Sequence, residues 1–184
     1  FKTDAEAGME NYLVFPWAQG TTVDDMLAYY DASEFADYTH AVSGTLIVKA
    51  QHPDYELYLT GIHSFRGVSC ADCHMPYRTE GGVKYTDHHV QSPLLNIANS
   101  CAVCHRWSED DIRTRVEGIQ DKVQNAMLEA EDALVQAHFD IAAAVQAGAA
   151  AADLRQSRLK LRHAQFRWDY ISANNGMGFH SPLE

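Results

Sequence analysis

Beyond Trp107 the apolar positions fall into helical register. Ile112, Val116, Ile119, Val123, Ala126, Ala130, Leu134, Ile141 and Val145 stand mostly three and four residues apart, with polar and charged residues between them. Ser108, followed by Glu109, Asp110 and Asp111, supplies an N-cap and an acidic first turn, which satisfies free amides and suits the helix dipole. The pattern predicts one long amphipathic helix ending near Gly148, a residue suited to a left-handed C-terminal cap. At ~1.5 Å per residue this is a rod on the order of 55–60 Å. A second helix, roughly Ala150 to Ala173, carries Leu154, Leu161, Trp168 and Ile171 before Asn174-Asn175-Gly176 ends it. The two are expected to form an antiparallel pair. The apolar stripe on the longer helix fits a partner interface and packing on its hairpin mate equally well.

From Phe1 to about Arg106 the pattern is broken. Gly, Pro, Asp, Thr and aromatic residues predominate, and only short helices are predicted, such as Val23 to Tyr30 and Ala32 to Val42. A chain of 184 residues is long enough for one domain with a sizeable core, and it holds no repeat of solenoid length. A formal net charge of −11 argues against a nucleic-acid or anionic-membrane partner, since both would repel the surface. No stretch approaches the ~20 apolar residues of a membrane span, and the Ala-rich run from Ala142 to Ala152 is interrupted by Gln146 and Gly148.

Chemistry enters with two copies of one pattern, Cys70-Ala71-Asp72-Cys73-His74 and Cys101-Ala102-Val103-Cys104-His105. C-x-x-C-H is the attachment signature of c-type haem: two cysteines form thioethers to the porphyrin and the adjacent histidine reaches the iron. Paired C-x-x-C sequences could instead hold a structural zinc, and a single one could be a redox pair. Zinc needs no histidine after each second cysteine, and a redox motif belongs in a βαβ setting that is absent from the pattern. All four cysteines lie in these motifs, so none remains for a disulfide. With haem as part of the core, the irregular first half is intelligible, because porphyrin supplies apolar bulk that side chains otherwise supply. Covalent haem attachment in bacteria occurs outside the cytoplasmic membrane, so the expected location is the periplasm. Phe1 is not an initiator methionine and the first residues lack the order of a signal peptide, so processing or truncation is expected to have set this start.

A haem iron with two histidine ligands requires a second imidazole beside the motif histidine. Eight histidines remain: His40, His52, His63, His88, His89, His138, His163 and His180. His63, His88 and His89 lie near the motifs in sequence, and His180 follows a turn, Gly176-Met177-Gly178, able to bend over a porphyrin face. His40 has no such context. His138 and His163 lie within helices, where a hydrogen-bonded residue at a helix contact or a propionate partner is expected.

Several stretches then resemble one family, in family order across nearly the whole chain: Phe15-Pro16-Trp17, Lys49-Ala50-Gln51-His52-Pro53, Gly61-Ile62-His63, the first motif extended to His74-Met75-Pro76, Tyr85-Thr86-Asp87-His88, the second motif, Ala137-His138-Phe139, and His163-Ala164-Gln165-Phe166-Arg167-Trp168-Asp169. The chain resembles the C-terminal half of the pentahaem, ammonia-forming cytochrome c nitrite reductases. The resemblance implies that His74 and His105 are proximal ligands of the last two of five haems. It pairs His105 with His63 and His74 with His180, and makes His88 the ligand of a haem attached upstream. His52 falls on the substrate-side catalytic histidine, whose ordinary pKa near ~6.5 suits proton relay. Lys49, through its carbonyl, and Gln51, through its side-chain oxygen, match two ligands of a structural calcium, which takes hard oxygen donors. A homodimer through the long helices, nitrite as substrate and a membrane-anchored tetrahaem quinol dehydrogenase as electron donor are implied in the same way.

The departures are as informative. The family's C-x-x-C-K haem with its lysine ligand, an active-site arginine and tyrosine, and a Glu-Tyr pair completing the calcium shell have no counterpart here. The chain is therefore expected to be incomplete. The expected fold class is mainly α: a haem-wrapping irregular region, residues 1–107, carrying two attachment sites and parts of the active and calcium sites, then a long helical hairpin with a C-terminal haem-ligand segment, residues 108–184. The competing readings are a stand-alone dihaem electron-transfer cytochrome and a relative of the octahaem nitrite- or hydroxylamine-converting cytochromes. His88, His52 and the Lys49/Gln51 pair would have no evident work in a two-haem shuttle.

Overall fold

The long helix starts where its cap is. In the computed structural model, which describes residues 2–3, 13–14 and 16–182, Ser108 Oγ accepts from Asp111 N (3.1 Å) and donates to the Asp111 carboxylate (2.6 Å). Helix α5 then runs Glu109–Gln146. It ends in a two-bond cap: Gly148, at φ 88, donates to Val145 O, and Ala149 donates to Ala144 O. Helix α6 follows at once, Ala151–Ser172.

The distal half of α5 packs antiparallel on α6. Leu134, Ile141 and Leu161 form a buried cluster with Ala137 and Trp168 against it, and Trp168 Nε1 donates to Met127 O (3.1 Å). Four spaced apolar side chains on the same half, Leu128, Val135, Phe139 and Val145, stay exposed.

Ahead of these helices the chain is short-pieced, as its composition demands. Helix α1 (Val23–Ala32) begins in a capping box between Thr22 and Asp25. Helices α2 (Asp54–Leu59), α3 (Ile62–Phe65) and α4 (Cys70–His74) are one or two turns each. Among the described residues six strands make three antiparallel two-stranded ribbons: β1 (Lys2–Thr3) with β2 (Leu13–Val14), β3 (Tyr38–Thr39) with β4 (Leu46–Ile47), and β5 (Tyr77–Glu80) with β6 (Val83–Thr86). The architecture is mainly α. Among the described residues no helix is long and apolar enough to cross a membrane.

One expectation fails. No helix covers Ala32 to Val42: α1 stops at Ala32 and β3 lies inside that range. Glu34 adopts φ 50, Glu34 N donates to Asp31 O and Phe35 N to Tyr30 O, while the Phe35 ring packs on Tyr30 at 5.5 Å. That is a complete left-handed helix terminus with its apolar clasp, built on glutamate where the sequence signal would be glycine.

Contacts divide the chain into two compact units. One comprises the chain up to Glu56 with Met127–Asn175; the other comprises Leu57–Ala126 with Gly176 onward.

The first unit has a densely bonded centre. Arg162, buried on α6, donates to Asp31, Leu46 O and Phe35 O, and His163 Nε2 meets the other Asp31 oxygen. Buried Phe166 packs edge-on against Tyr30. His138 is 6% exposed; its Nδ1 stands 2.8 Å from Ser43 Oγ and its ring stacks on His40 at 3.7 Å. Both helical histidines are thus hydrogen-bonded at contacts, as their positions within helices suggested.

Candidate haem centres and the His52 segment

Both cysteine motifs lie in the second unit, held by different means. Ser69 and Asp72 form a reciprocal box: Asp72 N donates to Ser69 Oγ (3.3 Å), and Asp72 Oδ2 accepts from Ser69 N (2.7 Å). The bond from Ser69 N and a second from Ser69 Oγ to the same carboxylate oxygen (2.8 Å) hold the Asp72 carboxyl below the usual range. They also fix α4, so Cys70 and Cys73 share one helical face and His74 follows directly. The second motif has no acid to close a box. Cys101–Val103 is a 3-10 turn, steadied by Ser100 Oγ donating to Asn96 O (2.8 Å) and by His105 N donating to Cys101 O (2.9 Å). All four cysteines are free; burial first, then the other motif cysteines and Asp72, pushes the Cys73 thiol up to about 11.

Each motif histidine faces a second imidazole. His105 and His63 stand with ring centroids 6.2 Å apart, and His74 and His180 with centroids 6.1 Å apart. Two imidazoles on opposite sides of one first-row metal ion, each bonded at about 2.0 Å, put their centroids roughly 6 Å apart. Both centroid separations match that spacing. His74 Nδ1 lies 2.9 Å from Gln91 O; donation to that carbonyl leaves Nε2 unprotonated and able to bind a metal. His105 instead stacks on Trp107 at 5.2 Å, and Arg115 lies over the far ring. Burial, and His105 beside it, lowers the His63 pKa, which favours the neutral imidazole.

The turn that carries His180 is seated, not free. Gln120 Nε2 donates to Gly176 O, and a Cβ on Gly178 would come within 2.6 Å of Val123. His88 is exposed at the end of β6's extension, where buried Asp87 accepts from His89 N and His89 Nδ1. Among the described residues no three His, Cys, Asp or Glu side chains converge on a metal-sized cage.

The first unit holds the other candidates. Lys49, Gln51 and His52 line a cavity of about 410 Å³ with Asp37, Tyr30 and Tyr170. Burial, followed by the Asp37 charge, raises the Tyr30 pKa. Trp17 Nε1 donates to Glu56 (2.6 Å) at the same cavity; Phe15, of the Phe15-Pro16-Trp17 stretch, lies outside the described residues. His52 stands at φ 48 immediately before Pro53. A residue before proline favours extended backbone, and a non-glycine residue in a sparsely populated conformation costs about 1–3 kcal/mol. The oxygen donors of Lys49 and Gln51 suit calcium in kind, and calcium's six to eight ligands require more than these two.

Comparison with known proteins decides the family. The family model described as cytochrome c552 matches residues 1–184. The chain belongs to the cytochrome c552 family. Cytochrome c-552 of Parabacteroides distasonis is 51% identical over 177 residues, covering 96% of this chain and 36% of that protein. Cytochrome c-552 of Bacteroides fragilis is 50% identical with the same coverage. A solved structure of the catalytic subunit of cytochrome c nitrite reductase from Desulfovibrio desulfuricans, described with two calcium sites, matches at a TM-score of 0.85 and 36% identity. That match covers 92% of this chain and 39% of the Desulfovibrio chain. This cytochrome c552 segment spans about a third of the length of the curated relatives it matches.

Two features of this cytochrome c552 chain escaped the sequence reading. The His40–His138 stack joins residues 98 positions apart, which no local pattern reveals. Asp169, the last residue of the His163–Asp169 stretch, binds Lys49 Nζ at 3.1 Å and Ala50 N at 2.7 Å. The co-occurrence of the two matched stretches was its signal.

Proposed function

We propose that this chain is part of a periplasmic multihaem c-type cytochrome that reduces nitrite to ammonia with six electrons. In this reading two haems c are attached at Cys70/Cys73 and Cys101/Cys104, each ligated by two histidines: His74 with His180, and His105 with His63. The observation that carries it is that each attachment motif places its histidine about 6 Å from a second imidazole within the same unit. The similarity to the Desulfovibrio nitrite reductase supports the substrate.

Such haems would supply one-electron transfer when bound, and with two histidines each they would leave no open site for substrate. The remaining work falls to the chain. Cys70, Cys73, Cys101 and Cys104 fix the attachment points, and the Gln91 carbonyl orients His74. His52, exposed at the cavity, donates a hydrogen bond to a nitrogen oxyanion when protonated and accepts one when neutral, so it can relay protons to a reduction that consumes them. Lys49 carbonyl and Gln51 side chain contribute two oxygens to a structural calcium. His88 ligates a further haem; five haems in all belong to the full-length protein. The exposed row Leu128, Val135 and Phe139 on one face of α5 supports a homodimer through the long helices, and a membrane-anchored tetrahaem quinol dehydrogenase would feed the electrons.

The test is made on the intact haem-loaded protein. His52→Ala is expected to keep the haem count, measured by intact mass and iron content, while lowering nitrite turnover at least tenfold. Unchanged turnover overturns the role of His52. The dihaem-shuttle reading is favoured by the two attachment motifs of the chain itself; two haems on the intact protein, with no nitrite turnover, would establish it instead.

A further inference from the structure

We propose that Asp169 is a positioning residue for His52 and for the Lys49–Gln51 segment, through a clamp that the end of α6 closes on both sides of His52; this rests on His52 being the substrate-side histidine. The starting point is the backbone of His52 itself, left-handed at φ 48 and followed by Pro53. Such a conformation persists where its surroundings over-determine it, and here they do.

Upstream, three bonds fix the chain. Asp169 Oδ2 accepts from Ala50 N (2.7 Å), Asp169 Oδ1 accepts from Lys49 Nζ (3.1 Å), and Asp37 Oδ2 accepts from Lys49 N (2.7 Å). Downstream, Asp54 Oδ1 accepts from Asn174 Nδ2 (2.7 Å) and Asn175 N (3.2 Å). Residues 49, 50 and 54 are thus held by bonds to carboxylates, and Asp169, Asn174 and Asn175 all come from one end of α6. Bonds between a carboxylate and backbone N–H are charge-assisted and directional. Asp169 is 7% exposed, so little water competes for it.

Asp169 touches neither His52 nor substrate; it acts through the segment it holds.

Calcium titration of the intact haem-loaded protein by calorimetry, alongside nitrite kinetics, tests this. Asp169→Ala should weaken calcium binding at least tenfold and lower kcat at least tenfold, with the haem count unchanged. Asp169→Asn keeps an oxygen that accepts from Ala50 N–H, and should restore both to within about threefold. Wild-type calcium affinity in Asp169→Ala overturns the proposal, as does an equal loss in both variants, which would make the charge, not the grip on Ala50, the cause. If Asp169→Ala fails to mature, Asn174→Ala carries the test from the other side of the clamp: kcat must fall at least fivefold with KM unchanged, and an unchanged kcat overturns the proposal. Should His52→Ala leave turnover intact, the role of His52 fails while the calcium titration still judges the clamp.

Discussion

His63 and His105 face each other with ring centroids 6.2 Å apart and planes at 85°. The pair is assembled from α3 and from the turn after Cys101–Val103, so neither ring is placed by the other's local sequence. If these are the two axial ligands of one haem, His63→Ala removes a ligand and no attachment point. The haem-loaded variant should keep every covalent haem, while one haem converts from six-coordinate low-spin to high-spin by electron paramagnetic resonance. An unchanged spectrum would show that His63 is not a ligand.

The second pair depends on a glycine. A Cβ at Gly61 would stand 2.0 Å from His180 O, a backbone atom that cannot swing aside. Gly61→Ala should therefore displace the His180 segment and destabilise the protein by roughly 1–3 kcal/mol, the usual cost of overpacking. If His74 and His180 hold one haem and His105 and His63 another, the first should show the spin change, with the second less affected. Urea unfolding and the same spectra measure both; a variant as stable as the parent contradicts the close approach.

Much of this was legible in the sequence, for identifiable reasons. α5 and α6 announce themselves because Ser108, Gly148 and the three-four spacing all act within a few residues of where they are read. The haem motifs are legible because thioether chemistry fixes their spacing. The end of α1 was not, because Glu34 occupies a left-handed position without being glycine, and the compensation is the Tyr30–Phe35 contact. Asp169 was not either: its partners lie 119 and 120 residues away.

His138 makes the first unit sensitive to acid. Burial, and then the neighbouring His40, lowers its pKa, while a bond from Gln165 opposes them weakly. The unfolded chain, with histidine near ~6.5, binds the proton more readily than the fold does. The stability held by neutral His138 is thus complete above about pH 6.5 and is lost as pH falls below it. The urea midpoint should drop between pH 7.5 and 5.5 in the parent and drop less in His138→Gln. Equal slopes would place the acid sensitivity elsewhere.

Glu34 offers a stabilising change. Its left-handed backbone costs a non-glycine residue roughly 1–2 kcal/mol, and its side chain is exposed. The capping bonds at this turn come from main-chain atoms: Phe35 N to Tyr30 O and Glu34 N to Asp31 O. Glycine would keep those bonds and relieve the strain, offset by about 0.5–1 kcal/mol of extra freedom in the unfolded chain. Glu34→Gly should therefore raise stability by about 0.5 kcal/mol, whereas Glu34→Ala, which keeps the Cβ, should change it little. Urea midpoints at equal slope separate the two. A gain in the alanine variant equal to that in glycine would point to the charge of Glu34, set among Asp31 and Asp37, as the source of strain.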